Sequence, residues 1–100
     1  MFKFKKDKRE TGLWLIGNPD VNTTIKLGSM KVGWINAPSW STAQEWTIWM
    51  HVHGNRGNPN CDWHNKKLAV RFDTEPEARE WLKKNFAKVC SLGLHEMEID

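Results

Sequence analysis

The segment 66–89 constrains the fold most, because it predicts a strand, a sharp corner and a helix in direct succession. Apolar side chains alternate with polar or small ones from Leu68 to Phe72, the period of two of a half-buried strand. Thr74, Pro76 and Glu77 then form a capping box with proline in the first turn. Apolar residues recur at helical spacing beyond this box, with acidic residues early and lysines late. The pattern predicts one helix over 75–90.

The chain before this segment predicts a sheet. Strand patterns occupy 13–16, 23–27, 30–36 and 45–53, and Gly28 with Ser29 marks a tight turn that makes the second and third of these a hairpin. Gly33 lies inside a strand, which indicates a bulge or the close approach of another backbone or of a ligand. The predicted fold is α+β: an antiparallel sheet of four to five strands packed on one face by a single C-terminal helix. A chain of 100 residues forms one domain, 1–100.

Basic residues are concentrated in the part of the chain that predicts sheet. Residues 1–10 carry five basic and two acidic side chains and predict a basic arm or an edge strand. The first 72 residues contribute a formal charge of +6 and the remaining 28 contribute −3. This asymmetry indicates an anionic partner.

The absence of long apolar segments from the sequence predicts the compartment and the lack of membrane association. No apolar run is long enough to cross a bilayer, and the lysine-rich start is not followed by the apolar segment of a secretory signal. We therefore expect a cytoplasmic protein with no membrane partner. Cys61 and Cys90 are expected to be free thiols or ligands there, with a disulfide between them as the alternative for an exported protein.

The strand over 45–53 and the loop that follows it hold the strongest functional signals. One row of the strand is apolar, and the other presents Trp49, His51 and His53, a composition typical of a working surface. The segment 54–65 is rich in asparagine and glycine and predicts a long surface loop that carries function.

Two histidines from the strand and two residues from the loop form the pattern H-x-H-x7-C-x2-H. These residues are His51, His53, Cys61 and His64. Imidazole and thiolate groups at this spacing can close a tetrahedral zinc site. The alternative is that they are ordinary polar residues. The main expectation is no cofactor, with a structural zinc ion as the second hypothesis.

Catalytic patterns are weak. Cys61 with His64, or Cys90 with His95, pairs a nucleophile with a base, but neither pair has a strained turn, an orienting third residue or oxyanion donors around it. The chain also has no phosphate-binding loop, dinucleotide glycine pattern or paired carboxylates. We therefore expect a protein that is not an enzyme.

The sheet face opposite the helix is the remaining candidate site. Trp49, Lys67 and Arg71 are expected to lie close together there, with Lys31 nearby if the register allows it. Aromatic side chains on a sheet stack on bases or enter a major groove, while basic ones hold phosphates. The alternative is an ordinary amphipathic sheet with a packed tryptophan. The pattern favours nucleic-acid binding, to DNA in preference to RNA.

Residues 72–81, FDTEPEAREW, fit the motif F-x-T-x-x-E-A-x-x-W at a junction between strand and helix. In this the chain resembles AP2-type domains and the arm-binding domains of phage and transposon integrases, over roughly 31–86. The resemblance implies a three-stranded sheet that lies in the major groove of DNA, with Trp49, Lys67 and Arg71 as contacts. The loop 54–65 is longer than the hairpin of those domains, and the N-terminal hairpin is additional.

A second functional hypothesis belongs to another class. The same junction occurs in small phage proteins that inhibit bacterial defence systems, so the chain is alternatively a phage or mobile-element inhibitor of a host protein. Trp40, Trp49 and Trp63 are the expected anchors, because tryptophan is enriched at binding hot spots. Either class is compatible with a monomer or a homodimer.

Overall fold

The computed structural model describes residues 1–7, 21–38, 45–53 and 63–97. Within them, an antiparallel five-stranded sheet is followed by two short helices, which confirms the predicted α+β class. The elements are β1 (Phe2–Lys6), β2 (Thr23–Leu27), β3 (Met30–Asn36), β4 (Trp46–His53), β5 (Trp63–Phe72), α1 (Glu75–Lys84) and α2 (Phe86–Cys90). The strands lie in the sheet in chain order, so each pairs with its neighbours in sequence. No helix in these ranges is both long and apolar enough to cross a membrane.

The prediction of a single helix over 75–90 is wrong, because the helix is divided at Asn85. Asn85 has φ −112° and ψ 25°, outside the helical region. Its backbone N–H and its side-chain amide both donate to the carbonyl oxygen of Trp81, each at 2.9 Å. Asparagine side chains compete for backbone hydrogen bonds in this way, which ends α1 at Lys84 and lets α2 start anew at Phe86.

The start of α1 has the cap that the sequence predicts. The hydroxyl oxygen of Thr74 accepts a hydrogen bond from the backbone N–H of Glu77 at 3.4 Å, and the same hydroxyl donates to the Glu77 carboxylate at 3.1 Å. Thr74 has extended dihedral angles, as an N-cap residue should. The cap therefore satisfies one backbone donor of the first turn.

Thr74→Ala should lower the free energy of unfolding by about 1 kcal/mol, because it removes the oxygen that accepts from Glu77. In a domain of this size that loss lowers Tm by about 4–8 °C. Thermal denaturation of the alanine and serine variants checks this expectation. Thr74→Ser keeps the hydroxyl and should behave like the unsubstituted protein, so an equal loss in both variants would contradict the capping role.

The core joins residues of the sheet to residues of the helices. Ile25, Ile48 and Met50 of the sheet are fully buried in the same cluster as Ala78, Leu82 and Val89 of the helices. The ring of Phe86 packs edge-on against that of Phe2, with centroids 4.8 Å apart. These contacts make the apolar rows of the strands and of the helices one core.

Gly33 marks both a bulge and a close approach of two strands, as its place inside a strand predicts. Ile25 pairs with Gly33 and Lys26 with Lys31, so Val32 is an extra residue in β3. A Cβ atom on Gly33 would lie only 2.3 Å from the carbonyl oxygen of Trp49. Only glycine therefore lets β3 and β4 approach to this distance.

Several predicted boundaries differ from the structure or cannot be compared with it. β5 begins at Trp63, so the end of the predicted loop at residue 65 is wrong. Trp63 and the polar residues 64–67 are part of the strand because they pair with β4, an interaction that local composition does not reveal. The predicted strand 13–16 and the loop residues 54–62 lie outside the described residues.

The tail, which is residues 91–97 after α2, continues the backbone hydrogen bonding of β4 beyond the end of its pairing with β3. The pairing of β3 with β4 ends at Gly33 and Met50. Beyond that point the backbone N–H of His53 donates to the carbonyl oxygen of Gly93 at 3.0 Å, and the backbone N–H of His95 donates to the carbonyl oxygen of His51 at 2.8 Å. The tail therefore occupies the β3 side of β4, because β5 occupies the other edge.

The tail is also tied to β3, where the backbone N–H of Met97 donates to the carbonyl oxygen of Lys31 at 2.8 Å. Leu94 forms a single bridge with Val52. The tail thus fills a gap between two strands, and the residues described in it form no strand of their own.

Candidate nucleic-acid interface

Five side chains form one row across all five strands. Lys5 pairs with Thr24, Thr24 with Trp34, Trp34 with Trp49, and Trp49 with Lys67. Residues directly opposite each other in antiparallel strands lie on the same face of the sheet. We call these five residues the tryptophan row. It places two adjacent indoles within the sheet and a lysine on each outer strand.

The two tryptophans form a stacked pair. Their rings are parallel within 1°, and the ring centroids are 5.7 Å apart. The indole N–H of Trp34 donates to the side-chain oxygen of Asn36 at 3.3 Å, which holds the ring in its orientation. Both residues are partly buried. The pair is therefore an aromatic platform that is formed before any ligand arrives.

Basic side chains occupy the rows on either side of the tryptophan row. Lys3 pairs with Lys26, and Lys26 pairs with Lys31, on one side. On the other side, Arg71 pairs with Thr47. These rows and the tryptophan row together are called the tryptophan face. Its basic side chains are Lys3, Lys5, Lys26, Lys31, Lys67 and Arg71, and of these Lys3, Lys5, Lys67 and Arg71 are exposed.

Two carboxylates contact this face in the described residues. Glu45 forms an ion pair with Arg71 at 3.4 Å, and the Arg71 side chain is 70% exposed. Asp7 accepts a hydrogen bond from the Thr24 hydroxyl at 2.6 Å. An exposed ion pair of this kind contributes little stability and rearranges easily. Six cations against two carboxylates therefore give the described part of the face a positive charge.

The residues predicted for nucleic-acid binding lie on this one face. Lys67 lies directly opposite Trp49, and Arg71 lies further along the same strand. Lys31 joins them through its pairing with Lys26. Sequence reasoning missed Trp34, because strict alternation assigns it to the same row as the buried Val32. The bulge at Val32 changes the phase of the strand and moves Trp34 to the face of Trp49. The glycine beside Trp34 was the available signal.

The histidines predicted as metal ligands have a new neighbour at one end of this face. His51 is buried, and its Nδ1 lies 2.8 Å from the side-chain oxygen of Asn65. The ring of His95, from the tail, lies 5.7 Å from that of His51 and 5.2 Å from that of His53. Sequence spacing did not indicate that His95 joins His51 and His53, because its position depends on the docking of the tail.

The remaining predicted ligands are not joined to these histidines by the described structure. The backbone of His64 pairs with that of Val52, and Cys61 lies outside the described residues. Among the residues that are described, no group of three histidines, cysteines or carboxylates is arranged to hold a metal ion. The zinc site stays a prediction.

Of the three tryptophans predicted to bind a protein, Trp49 is the one whose side chain the structure describes. Trp40 lies outside the described residues, and the structure gives Trp63 only as the first residue of β5. Trp49 is stacked on Trp34 and is not a freely projecting anchor. A cluster of three tryptophans therefore stays a prediction.

Comparison of this chain with protein-family models, with curated proteins and with solved structures gives no match. The resemblance to AP2-type and integrase arm-binding domains therefore stays a prediction. Function has to be argued from the chemistry of the site.

Proposed function

We propose that this protein binds nucleic acid through the tryptophan face and does not catalyse a reaction. The observation that carries the proposal is the tryptophan row, in which Trp34 and Trp49 lie between Lys5 and Lys67. Proteins that bind nucleic acid without catalysis combine aromatic rings for the bases with cations for the backbone. The partner is DNA in preference to RNA, and the protein is cytoplasmic, as a monomer or a homodimer.

The proposal includes the arrangement of the helices relative to the sheet. Ala78, Leu82 and Val89 share the core with Ile48 and other members of the apolar rows. Because side chains alternate between the two faces of a strand, residues of those rows point away from Trp49. We infer that both helices cover the apolar face and leave the tryptophan face to the ligand.

Each component of the face has a separate role in binding. Lysine and arginine side chains neutralise phosphates and release counterions, which gives affinity that falls with salt. The indoles contribute stacking, which every base can provide because every base has a π-face.

Replacing both Lys67 and Arg71 by alanine should weaken binding about tenfold or more at low salt, because two phosphate contacts are lost. The slope of log affinity against log salt should fall by about 1–2 in magnitude. Fluorescence anisotropy of labelled oligonucleotides at several salt concentrations measures both quantities.

The matched control is Lys83→Ala with Lys84→Ala on α1. Each double variant removes two cations, of which one forms an exposed ion pair: Arg71 with Glu45 and Lys84 with Glu80. The control should keep its affinity within about twofold, since its two lysines belong to α1 and not to the tryptophan face. Equal losses in both double variants would show that net charge alone drives binding and would remove the tryptophan face from consideration.

The inhibitor hypothesis predicts a different partner. A phage or mobile-element protein that uses Trp40, Trp49 and Trp63 would retain a host protein from bacterial lysate after nuclease treatment. A nucleic-acid-binding protein would lose its retained material under that treatment. Zinc content of the purified protein tests the remaining hypothesis, since a structural site requires about one ion per chain.

A further inference from the structure

We infer that the ligand of the tryptophan face is single-stranded nucleic acid whose bases stack on the indole pair. This inference rests on the proposed function and specifies its substrate class. In a duplex the faces of the bases are hidden by stacking between neighbouring base pairs, and the geometry of the tryptophan face favours a ligand whose bases are unpaired and unstacked.

The width of the sheet is the first argument. Neighbouring strands lie about 4.8 Å apart, so the tryptophan row extends about 19 Å from Lys5 to Lys67. The major groove of B-DNA is about 12 Å wide and admits a helix or a two-stranded ribbon. The indoles lie on β3 and β4, with β1 and β2 on one side and β5 on the other. The flanking strands would meet the phosphate backbones before the indoles reached the base edges.

The orientation of the indoles is the second argument. Trp34 and Trp49 are stacked on each other, and their rings are parallel within 1°. The hydrogen bond from Trp34 to Asn36 holds the pair without a ligand. A preformed platform loses little side-chain entropy when it binds. The outer face of such a stack suits the π-face of an unstacked base, which a single strand offers and a duplex does not.

The placement of the cations is the third argument. Lys5 lies two strands from Trp34, and Lys67 lies one strand from Trp49. Both lysines are exposed, and their long side chains reach a backbone that passes over the indoles. A strand that crosses the sheet along the tryptophan row would therefore meet a cation before and after the stacked bases. The row accommodates about four nucleotides, the low end of the range for sheet-based modules.

The test measures the binding of three probes to the unsubstituted protein by fluorescence anisotropy at about 50 mM salt. These are a single-stranded oligonucleotide of about 12 nucleotides, its duplex, and an abasic oligonucleotide with the same phosphates. We expect the single strand to bind about tenfold or more tighter than either of the others. Comparing DNA and RNA versions of the single strand shows which of the two nucleic acids the protein binds more tightly.

Two variants test the indoles directly. Trp34→Ala with Trp49→Ala should weaken single-strand binding about tenfold or more, whereas phenylalanine at both positions keeps an aromatic face and should retain most of the affinity. Circular dichroism establishes that each variant is folded. If the alanine variant does not fold, the phenylalanine variant and the abasic probe still decide the result.

The outcomes separate this inference from the proposed function. Duplex or abasic probes that bind as tightly as the single strand would overturn the inference, while a loss with Lys67→Ala and Arg71→Ala would still support the proposed function. Binding of heparin at the same affinity would also overturn it, because heparin has charge and no bases. No binding of any probe at low salt would overturn both.

Discussion

Gly33→Ala should destabilise the protein by about 3 kcal/mol or more, the upper part of the range for overpacked sites. The added Cβ would lie 2.3 Å from the carbonyl oxygen of Trp49 and 2.8 Å from the sulfur of Met50. The methionine side chain can move, but the carbonyl belongs to the paired strand β4, so the strands have to separate. In a domain of 100 residues the loss corresponds to a fall in Tm of at least about 10 °C. Chemical and thermal denaturation measure it.

Gly28→Asn is the matched control for the loss of a glycine. Gly28 has φ +64° in the turn between β2 and β3, and a Cβ there would meet no atom within 4 Å. Asparagine tolerates this backbone region better than other residues with a side chain, so the loss should stay below about 1 kcal/mol. If both variants lost the same stability, backbone entropy and not the contact with Trp49 would explain the effect at Gly33.

The close approach at Gly33 also sets the geometry of the tryptophan pair. Gly33 pairs with Met50, and the next pair along the strands is Trp34 with Trp49. A side chain at position 33 that pushed β3 from β4 would separate the two indoles. We therefore expect any folded fraction of Gly33→Ala to bind single strands more weakly, which connects the backbone of β3 to the proposed site.

Local sequence signals predicted most of the secondary structure but not the tertiary details. The hairpin at Gly28 and the cap at Thr74 depend on residues near in sequence, and the structure contains both. Gly33 indicated a close approach, but the sequence did not give its partner, Trp49 of β4. The break at Asn85 was missed because the apolar periodicity continues across it. The early start of β5 at Trp63 was missed because its polar residues become a strand only by pairing with β4.

The candidate site was predicted in part for the same reason. Trp49, Lys67 and Arg71 follow from simple alternation in two neighbouring strands. Trp34 required the register of β3, and a bulge of one residue exchanges the faces of all residues beyond it. His95 required the tail to be placed against β4. Residues whose position depends on a distant pairing therefore could not be assigned from the sequence.

Leu82→Ala should lower the free energy of unfolding by about 2–5 kcal/mol, because it leaves a cavity where a fully buried side chain fills the core. A small domain has about 5–15 kcal/mol of stability in total, so the variant should lose a large part of it. Urea denaturation followed by circular dichroism gives the value, and an unchanged m-value would establish that the same folded state is being compared.

Leu92→Ala makes the same chemical change at a partly buried position and should lower the free energy of unfolding by only about 1 kcal/mol. Equal losses in the two leucine variants would contradict the packing of α1 on the sheet, because only Leu82 is fully buried.

The apolar face and the tryptophan face should also be separable by function. If the helices cover the apolar face, then Leu82→Ala should alter the folded fraction but not the oligonucleotide affinity per folded molecule. Lys67→Ala with Arg71→Ala should do the reverse, because both of its side chains are exposed.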